Sequence, residues 1–328
     1  MYSNGTEEFA WGSELQGRGR MSLFDTLVGL SIWILSFASV SIGILNLYII
    51  KKLTIFHNAF GALWVSRTVG EIGANAVHFL YSGPLTVFQI KNIAPHFGIA
   101  AYTISYLFAA QACAMNQYVS INRLLAVYTP LNYNFIFSKR TTAILIIVTW
   151  IEISALMALY FVIPCSLIGY SPQFYEFIFV KSPECVRDYS LLGTITIRGC
   201  TVVCSASLII DIITFYKIIH IKATNKKAAK EEAFRRNVRF FAQTAMQNLS
   251  MMFALTVVVL LNNEAQIGKS ALFITAFDGR ILTYLSNGLS IILFNPEVRK
   301  LLRIPIGVVS SRVLTTSAAM EAGINNRG

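Results

Sequence analysis

Charged residues are scarce in this chain. Asp, Glu, Lys and Arg make up 13% of its 328 residues, about half the share found in soluble globular domains. A fold with an ordinary water-facing surface is therefore excluded. Metal-binding patterns are missing too. The five cysteines, Cys113, Cys165, Cys185, Cys200 and Cys204, form no CxxC pair and no Cys/His spacing of the zinc type, so no metal site is expected. His57, His78, His96 and His220 are scattered and stand in no nucleophile or metal constellation, which argues against an enzyme and against a cofactor. The net charge of +11 comes without stacking or zinc motifs, so no nucleic-acid partner is expected. Its basic residues flank apolar stretches instead. No internal repeat is visible, which counts against transporters built by duplication. The first 25 residues hold no apolar core behind a basic end. The expectation is no cleavable signal peptide, with the first membrane helix acting as targeting signal.

What fills the chain is apolar. Hydrophobic residues make up 55% of it, and they gather in seven segments, 26–50, 59–81, 97–121, 141–162, 190–216, 240–261 and 270–294. Each is about 22–27 residues long, enough to cross a hydrocarbon core of about 30 Å with some tilt. Lipid offers backbone groups no partners, so these segments must be helices. The expected fold is an all-α membrane protein, a seven-transmembrane helix bundle. Lys51 and Lys52 close the first segment, and Ser82-Gly83-Pro84 is expected to break the second. Residues 163–189 read as a longer loop with Pro164, Pro172 and Pro183, and residues 217–239 as a basic loop ending at Arg239. Residues 297–303 read as a short amphipathic helix after the seventh segment. With the amino terminus outside, 18 of the 27 Lys and Arg fall on the inner side and 6 on the outer. The positive-inside rule therefore puts the amino terminus outside and the carboxyl terminus in the cytoplasm. The chain divides into a disordered, solvent-facing extracellular tail (1–25), a helical membrane domain (26–303) and a cytoplasmic tail (304–328). Asn4 heads a glycosylation sequon on the outer side.

The junction after the third segment organises the rest. Twenty-five residues without a formal charge, 97–121, are followed at once by Asn122-Arg123, then by Pro130 and Tyr133. Pro130 cannot continue a helix smoothly, so the chain turns there along the membrane face. On position alone, Arg123 reads equally well as a topology anchor reaching for the headgroups. The first segment carries Gly43-Ile44-Leu45-Asn46. An asparagine buried in lipid must bond across helices, holding two of them in register. Trp150 in the fourth segment reads, by itself, as packing. The seventh segment ends with Asn287-Gly288, where glycine weakens the helix rather than kinking it.

The Asn122-Arg123 pair with its downstream Pro130 resembles the Asp/Glu-Arg-Tyr signature of rhodopsin-like G-protein-coupled receptors. Asn122 replaces the acid and Leu124 the tyrosine. Gly43-x-x-Asn46 resembles that family's Gly-x-x-Asn, and Trp150 matches its single fourth-helix tryptophan. Asn287 falls where the family has Asn-Pro-x-x-Tyr, with Gly288 for proline and Ile291 for tyrosine. No proline lies between Phe240 and Leu261, and no lysine between Ala271 and Phe294 that could bind retinal. Phe60-Gly61-Ala62-Leu63 with Ser66-Arg67, Asn122-Arg123, Phe241-x-Gln243-Thr244, and Asp278-Gly279 before Phe294-Asn295-Pro296 look like the nematode chemosensory serpentine receptors of class X. The resemblance covers about residues 26–303. It implies a multi-pass receptor of the plasma membrane, in sensory cilia of neurons, detecting a small environmental or pheromone molecule in the outer half of the bundle. Coupling to a heterotrimeric G protein is implied at Asn122, Arg123, Pro130, Tyr133 and Arg239. Asn46, Glu71, Trp150, Asn287 and Gly288 are the implied switch or structural positions.

Seven charges fall inside the segments: Arg67, Glu71, Glu152, Arg198, Asp211, Asp278 and Arg280. At about 2.5–3.5 kcal/mol each on insertion scales, most must pair. Arg67 and Glu71 are one helical turn apart and suit each other. Arg198, Asp278 and Arg280 are expected to face one cavity, Asp278 pairing one arginine and the remaining positive charge favouring a negative ligand group; pure interhelical pairing is the plainer reading. Cys165 and Cys185 share an outer loop on the oxidising side, where a disulfide is expected. The other three cysteines read as small membrane packers. The basic loop 217–239 suits anionic membrane lipid as well as a G protein. The alternative function is a small-molecule transporter or ligand-gated channel that uses the intramembrane charges as its path.

Overall fold

The structure, a computed structural model, describes residues 11–224, 238, 241, 244–256 and 270–303. The sequon at Asn4, Arg239, most of the basic loop and the tail beyond 303 lie outside the described residues.

Helix α1 (Leu23–Lys52) begins at Ser22, whose hydroxyl accepts from the Asp25 N–H while the Asp25 carboxylate accepts from the Ser22 N–H. This reciprocal cap satisfies two backbone donors that would otherwise be orphaned. Helix α2 (Ala59–Val77) starts where the Asn58 side chain accepts from the Gly61 N–H at 3.0 Å. The expected break at Ser82-Gly83-Pro84 does not occur. A π-helical turn, His78–Ser82, leads straight into α3 (Gly83–Phe88), with Pro84 in its first turn. The wider turn makes room for the proline ring and absorbs the hydrogen bond that proline cannot give. The span ends at Gln89, whose φ is 45°.

Helix α4 (Pro95–Tyr128) opens on a proline and continues past Arg123. A turn holding Pro130 leads to α5 (Tyr133–Ile136) and then to α6 (Lys139–Val162). Where the sequence reads as loop, β1 (Ile168–Ser171) and β2 (Glu176–Phe179) pair as an antiparallel hairpin, Ile168 opposite Phe179 and Ser171 opposite Glu176. Cys165 and Cys185 are joined by a disulfide that brackets this hairpin. Helices α7 (Leu191–Thr224), α8 (described over 244–256), α9 (Ser270–Phe294) and the short α10 (Pro296–Arg303) complete the described chain.

Among the described residues seven helical runs form the bundle: α1, α2 continued by α3, α4, α6, α7, α8 and α9. Among the described residues, α1, α4, α6 and α7 are each long and apolar enough to cross a membrane. Helix α4 is central, packed against α2, α6, α7 and the hairpin, while α1 packs against α2, α3 and α9. Close approach between α2 and α4 depends on Gly70, where a Cβ would meet the Phe108 carbonyl oxygen at 2.6 Å. The distribution of side chains is that of a protein dissolved in lipid. Ile34, Phe37, Ile147, Ile151, Val202 and Ile209 are exposed, whereas Asn46, Arg67, Asn75, Asn116, Asn248 and Asn287 are buried. Without water, polar groups gain only by meeting one another inside the bundle, and apolar side chains lose nothing by facing out.

The segment before α1 departs from the disordered tail expected of it. Residues 11–22 fold across the end of the bundle that carries the hairpin. Leu15 is buried, Gly17 and Gly19 donate to the carbonyls of Ile90 and Gln89, and the Ser171 hydroxyl donates to the Glu14 carbonyl. Asp25 Oδ1 collects Arg18 at 2.7 Å, Tyr175 at 2.6 Å and Gln89 at 3.1 Å. One buried carboxylate thereby ties the leading segment, α1, α3 and the hairpin together.

Candidate functional site

Polar side chains that meet inside the bundle mark two regions. At the end opposite the hairpin, Asn122 and Tyr133 bond reciprocally: the Asn122 amide donates to the Tyr133 hydroxyl at 3.0 Å. The residue standing in place of an acid therefore anchors the turn that follows α4. Arg123 points back into the bundle. Its Nη1 donates to Thr244 Oγ1 on α8 at 2.5 Å, its guanidinium lies over the Phe60 ring at 5.2 Å, and Asp211 on α7 attracts it electrostatically. No neighbouring acid was available to hold this arginine; three other helices do so instead. Pro130 is exposed in the turn, with Leu131 and Phe135 uncovered beside it at 95% and 87% exposure.

From Arg123 a chain of polar groups runs along the interior. Asp211 accepts from Asn248 at 2.7 Å, and Asn248 in turn accepts from Asn116. Asn116 and Gln247 each accept from Arg67 Nη1 at 2.8 Å, and Arg67 Nε donates to Glu71 Oε1 at 3.0 Å. Glu71 Oε1 also accepts from the Asn287 amide at 2.9 Å, while Gln247 donates to Ser290 at 2.6 Å. Next to Asn287, the Gly288 carbonyl accepts from Asn46 at 3.0 Å, so α1 joins as well. A Cβ at 288 would lie 2.7 Å from Ile42 Cγ2, so glycine permits that approach. Both charges of the Arg67–Glu71 pair are buried, and six helices contribute to the chain. Trp150 stays apart, its ring edge-on to Phe108 at 5.6 Å.

At the hairpin end, the expected grouping of Arg198, Asp278 and Arg280 does not form. Arg198 is exposed on α7, as is Glu152 on α6. Asp278 accepts from Ser31 on α1 at 2.9 Å and pairs with neither arginine. Arg280 pairs with Glu176 of the hairpin and lies over the rings of Phe277 and Phe177. The reason is helix geometry: residues two apart project in different directions, so Asp278 and Arg280 serve different neighbours. Burial pushes the Glu176 carboxyl above the usual carboxylate range, against the opposing pull of Arg280. Around this pair lie His78, Tyr102, Tyr170, Phe177 and Phe277, all in ring contact. Asn116, Gln247 and Asn248 were findable as polar residues within apolar segments. Glu176 carried no such signal, because an acid in an outer loop is ordinary until its partner is known.

Comparison with known proteins agrees with this architecture. The family model described as Serpentine type 7TM GPCR chemoreceptor Srx matches residues 33–295. A Caenorhabditis elegans protein, Serpentine receptor class X 45, is 25% identical over 302 residues, covering 86% of this chain and 82% of its own. Among solved structures, squid rhodopsin superposes with a TM-score of 0.68 at 12% identity, over 90% of this chain and 84% of its own. That likeness is one of fold.

Proposed function

Because the chain belongs to the Srx family of serpentine seven-transmembrane chemoreceptors of the G-protein-coupled type, we propose that it detects a small environmental or pheromone molecule at the hairpin end and signals through a heterotrimeric G protein at the Arg123 end. In this reading the amino terminus and hairpin face outward, as the disulfide and the excess of inner Lys and Arg favour. The receptor sits in the plasma membrane of sensory cilia.

The observation that carries the proposal is the bond from Arg123 to Thr244 on α8, beside a polar chain that joins α7, α8 and α9. Helix α9 serves both ends. Arg280 and Phe277 face the hairpin, and Asn287, two turns or about 10 Å further along, holds Glu71. A ligand that shifts α9 at one end strains the bonds of Asn287 and of its neighbour Gln247 on α8. Thr244, one turn from Gln247 and Asn248, then lets Arg123 go, and a cleft opens between α4, α7 and α8. Leu131 and Phe135 offer apolar surface beside that cleft for a protein partner. Pro130 and Tyr133 set the turn that presents it, and Arg239, outside the described residues, is proposed as a further basic contact.

The test is a ligand screen in cells that report second messengers. Thr244→Val should raise basal signalling several-fold, because it removes a bond made only in the resting state. Arg123→Ala should abolish evoked signalling at unchanged surface expression. Evoked signalling that persists in Arg123→Ala would remove the basis of the proposal. A ligand-evoked current without any G protein would favour the channel or transporter reading instead.

A further inference from the structure

Under the hairpin, the interior of the bundle is filled by the chain's own residues. Phe177 of β2 enters among three other elements. Its ring lies 5.9 Å from His78 in the π turn, 5.2 Å from Tyr102 on α4 and 5.7 Å from Phe277 on α9. Beside it Glu176 is buried against Arg280, whose guanidinium lies 5.6 Å from the Phe177 centroid and 5.1 Å from that of Phe277. An aromatic ring and a carboxylate from adjacent residues thus occupy a frame built by helices. The frame is more strongly anchored than its occupant. His78, Tyr102, Phe277 and Arg280 belong to long helices, whereas Glu176 and Phe177 belong to a strand of four residues.

The fit of the carboxylate is also incomplete. Glu176 Oε1 takes both Arg280 and the Phe177 N–H, while Oε2 is buried with no hydrogen-bond partner among the described residues. A guanidinium presents a fork that matches both oxygens of a carboxylate, and a bidentate pair is the stronger one. A free carboxylate able to turn both oxygens toward Arg280 therefore has an advantage that the hairpin's glutamate lacks.

We infer that Glu176 and Phe177 stand in for the ligand in the resting molecule, and that the ligand is an organic carboxylate carrying an aromatic or comparably bulky apolar group a few bonds from the acid. On binding, its carboxylate takes Arg280, its apolar group enters the frame of His78, Tyr102 and Phe277, and the hairpin residues withdraw. The opposite exchange, in which an amine displaces Arg280 from Glu176, is the poorer one. Arg280 is fixed on α9 and held over two rings, so the glutamate is the partner able to leave. This inference names the ligand class of the site in the receptor reading above, but the binding itself requires no G protein.

Purified full-length receptor in detergent micelles provides the test, with melting temperature followed against ligand concentration. The probes are phenylacetate and 4-phenylbutyrate, their amides, and phenethylamine. The carboxylates should stabilise the receptor at concentrations about tenfold lower than the amides do. Glu176→Gln removes the internal competitor's charge and should lower the half-saturating carboxylate concentration about tenfold further. Arg280→Gln should erase the difference between acids and amides. Reversing both charges, Glu176→Arg with Arg280→Glu, should turn the preference toward phenethylamine. Equal stabilisation by acids and amides, a preference of the unaltered receptor for the amine, or no change in Glu176→Gln would each overturn the inference. If Arg280→Gln does not fold, the shape-preserving Glu176→Gln comparison decides alone. Carboxylate binding without cellular signalling would refute the receptor reading and leave this one standing; signalling by a receptor indifferent to carboxylates would do the reverse.

Discussion

Arg67 and Glu71 illustrate how a costly pair of residues becomes a structural asset. Their side chains are 3% and 8% exposed, in a setting where one unpaired charge costs several kcal/mol. Each is satisfied from more than one helix: Arg67 by Glu71, Asn116 and Gln247, Glu71 by Arg67 and Asn287. Arg67 also lies over the Trp64 ring at 5.2 Å. Removing one member leaves the other charge buried and uncompensated, whereas removing both deletes the buried charges and leaves only the neutral amides of Asn116, Gln247 and Asn287 short of a partner. Arg67→Met should therefore destabilise the folded receptor by about 3–5 kcal/mol, and Arg67→Met with Glu71→Met should recover most of that loss. Unfolding of the purified variants in micelles measures both. Equal instability of the single and double variants would contradict the account. The i,i+4 spacing of this pair was readable in the sequence. That Arg67 would pair with Asn116 and Gln247 was not, because they lie 49 and 180 positions away from it.

Among the elements, the hairpin differs most from its sequence reading. Three prolines made 163–189 look like irregular loop, yet Ile168–Ser171 and Glu176–Phe179 pair as strands. Two short strands are marginal by themselves. Here they gain from packing Tyr170 and Tyr175 into the core formed with Val28, Ile32, Leu85, Phe277 and Ile281, and from the disulfide. Closing a loop across a sequence separation of 20 contributes roughly 3 kcal/mol in the chain-entropy model. Cys165→Ser should lower the melting temperature, Cys185→Ser should lower it equally, and the double variant should be no worse than either. Additive losses would mean that the two cysteines act separately. The second span shows the converse. Gly83-Pro84 reads as a helix end, but a π turn accommodates the proline and the span continues as α3. That choice depends on what α3 gains by packing on α1, where a Cβ at Gly29 would meet Val87 at 2.6 Å.

At the scale of the whole molecule, orientation is the property on which the functional reading turns. The leading segment and the hairpin interlock at one end, and Arg123 with its exposed turn stands at the other. Epitope tags at the two termini of the chain in unbroken cells test the assignment. The amino-terminal tag should be labelled by antibody from outside and the carboxyl-terminal tag only after permeabilisation. Labelling in the opposite sense would put Arg123 outside the cell and end the receptor proposal.

The sequence by itself determined the helical membrane bundle, the number of spans and the residues able to bond across helices. These follow from local quantities: the length of each apolar run, the scarcity of charge and the insolubility of bare backbone in lipid. It also carried the family resemblance, because that resides in short motifs. Tertiary structure alone decided which polar groups meet. Arg123 bonds to Thr244 rather than to an adjacent acid, Arg280 takes Glu176 rather than Asp278, and Asp25 gathers the leading segment onto the hairpin. Each of those pairings joins residues far apart in the chain, and each was fixed by the rotation and tilt of packed helices, which no local periodicity encodes.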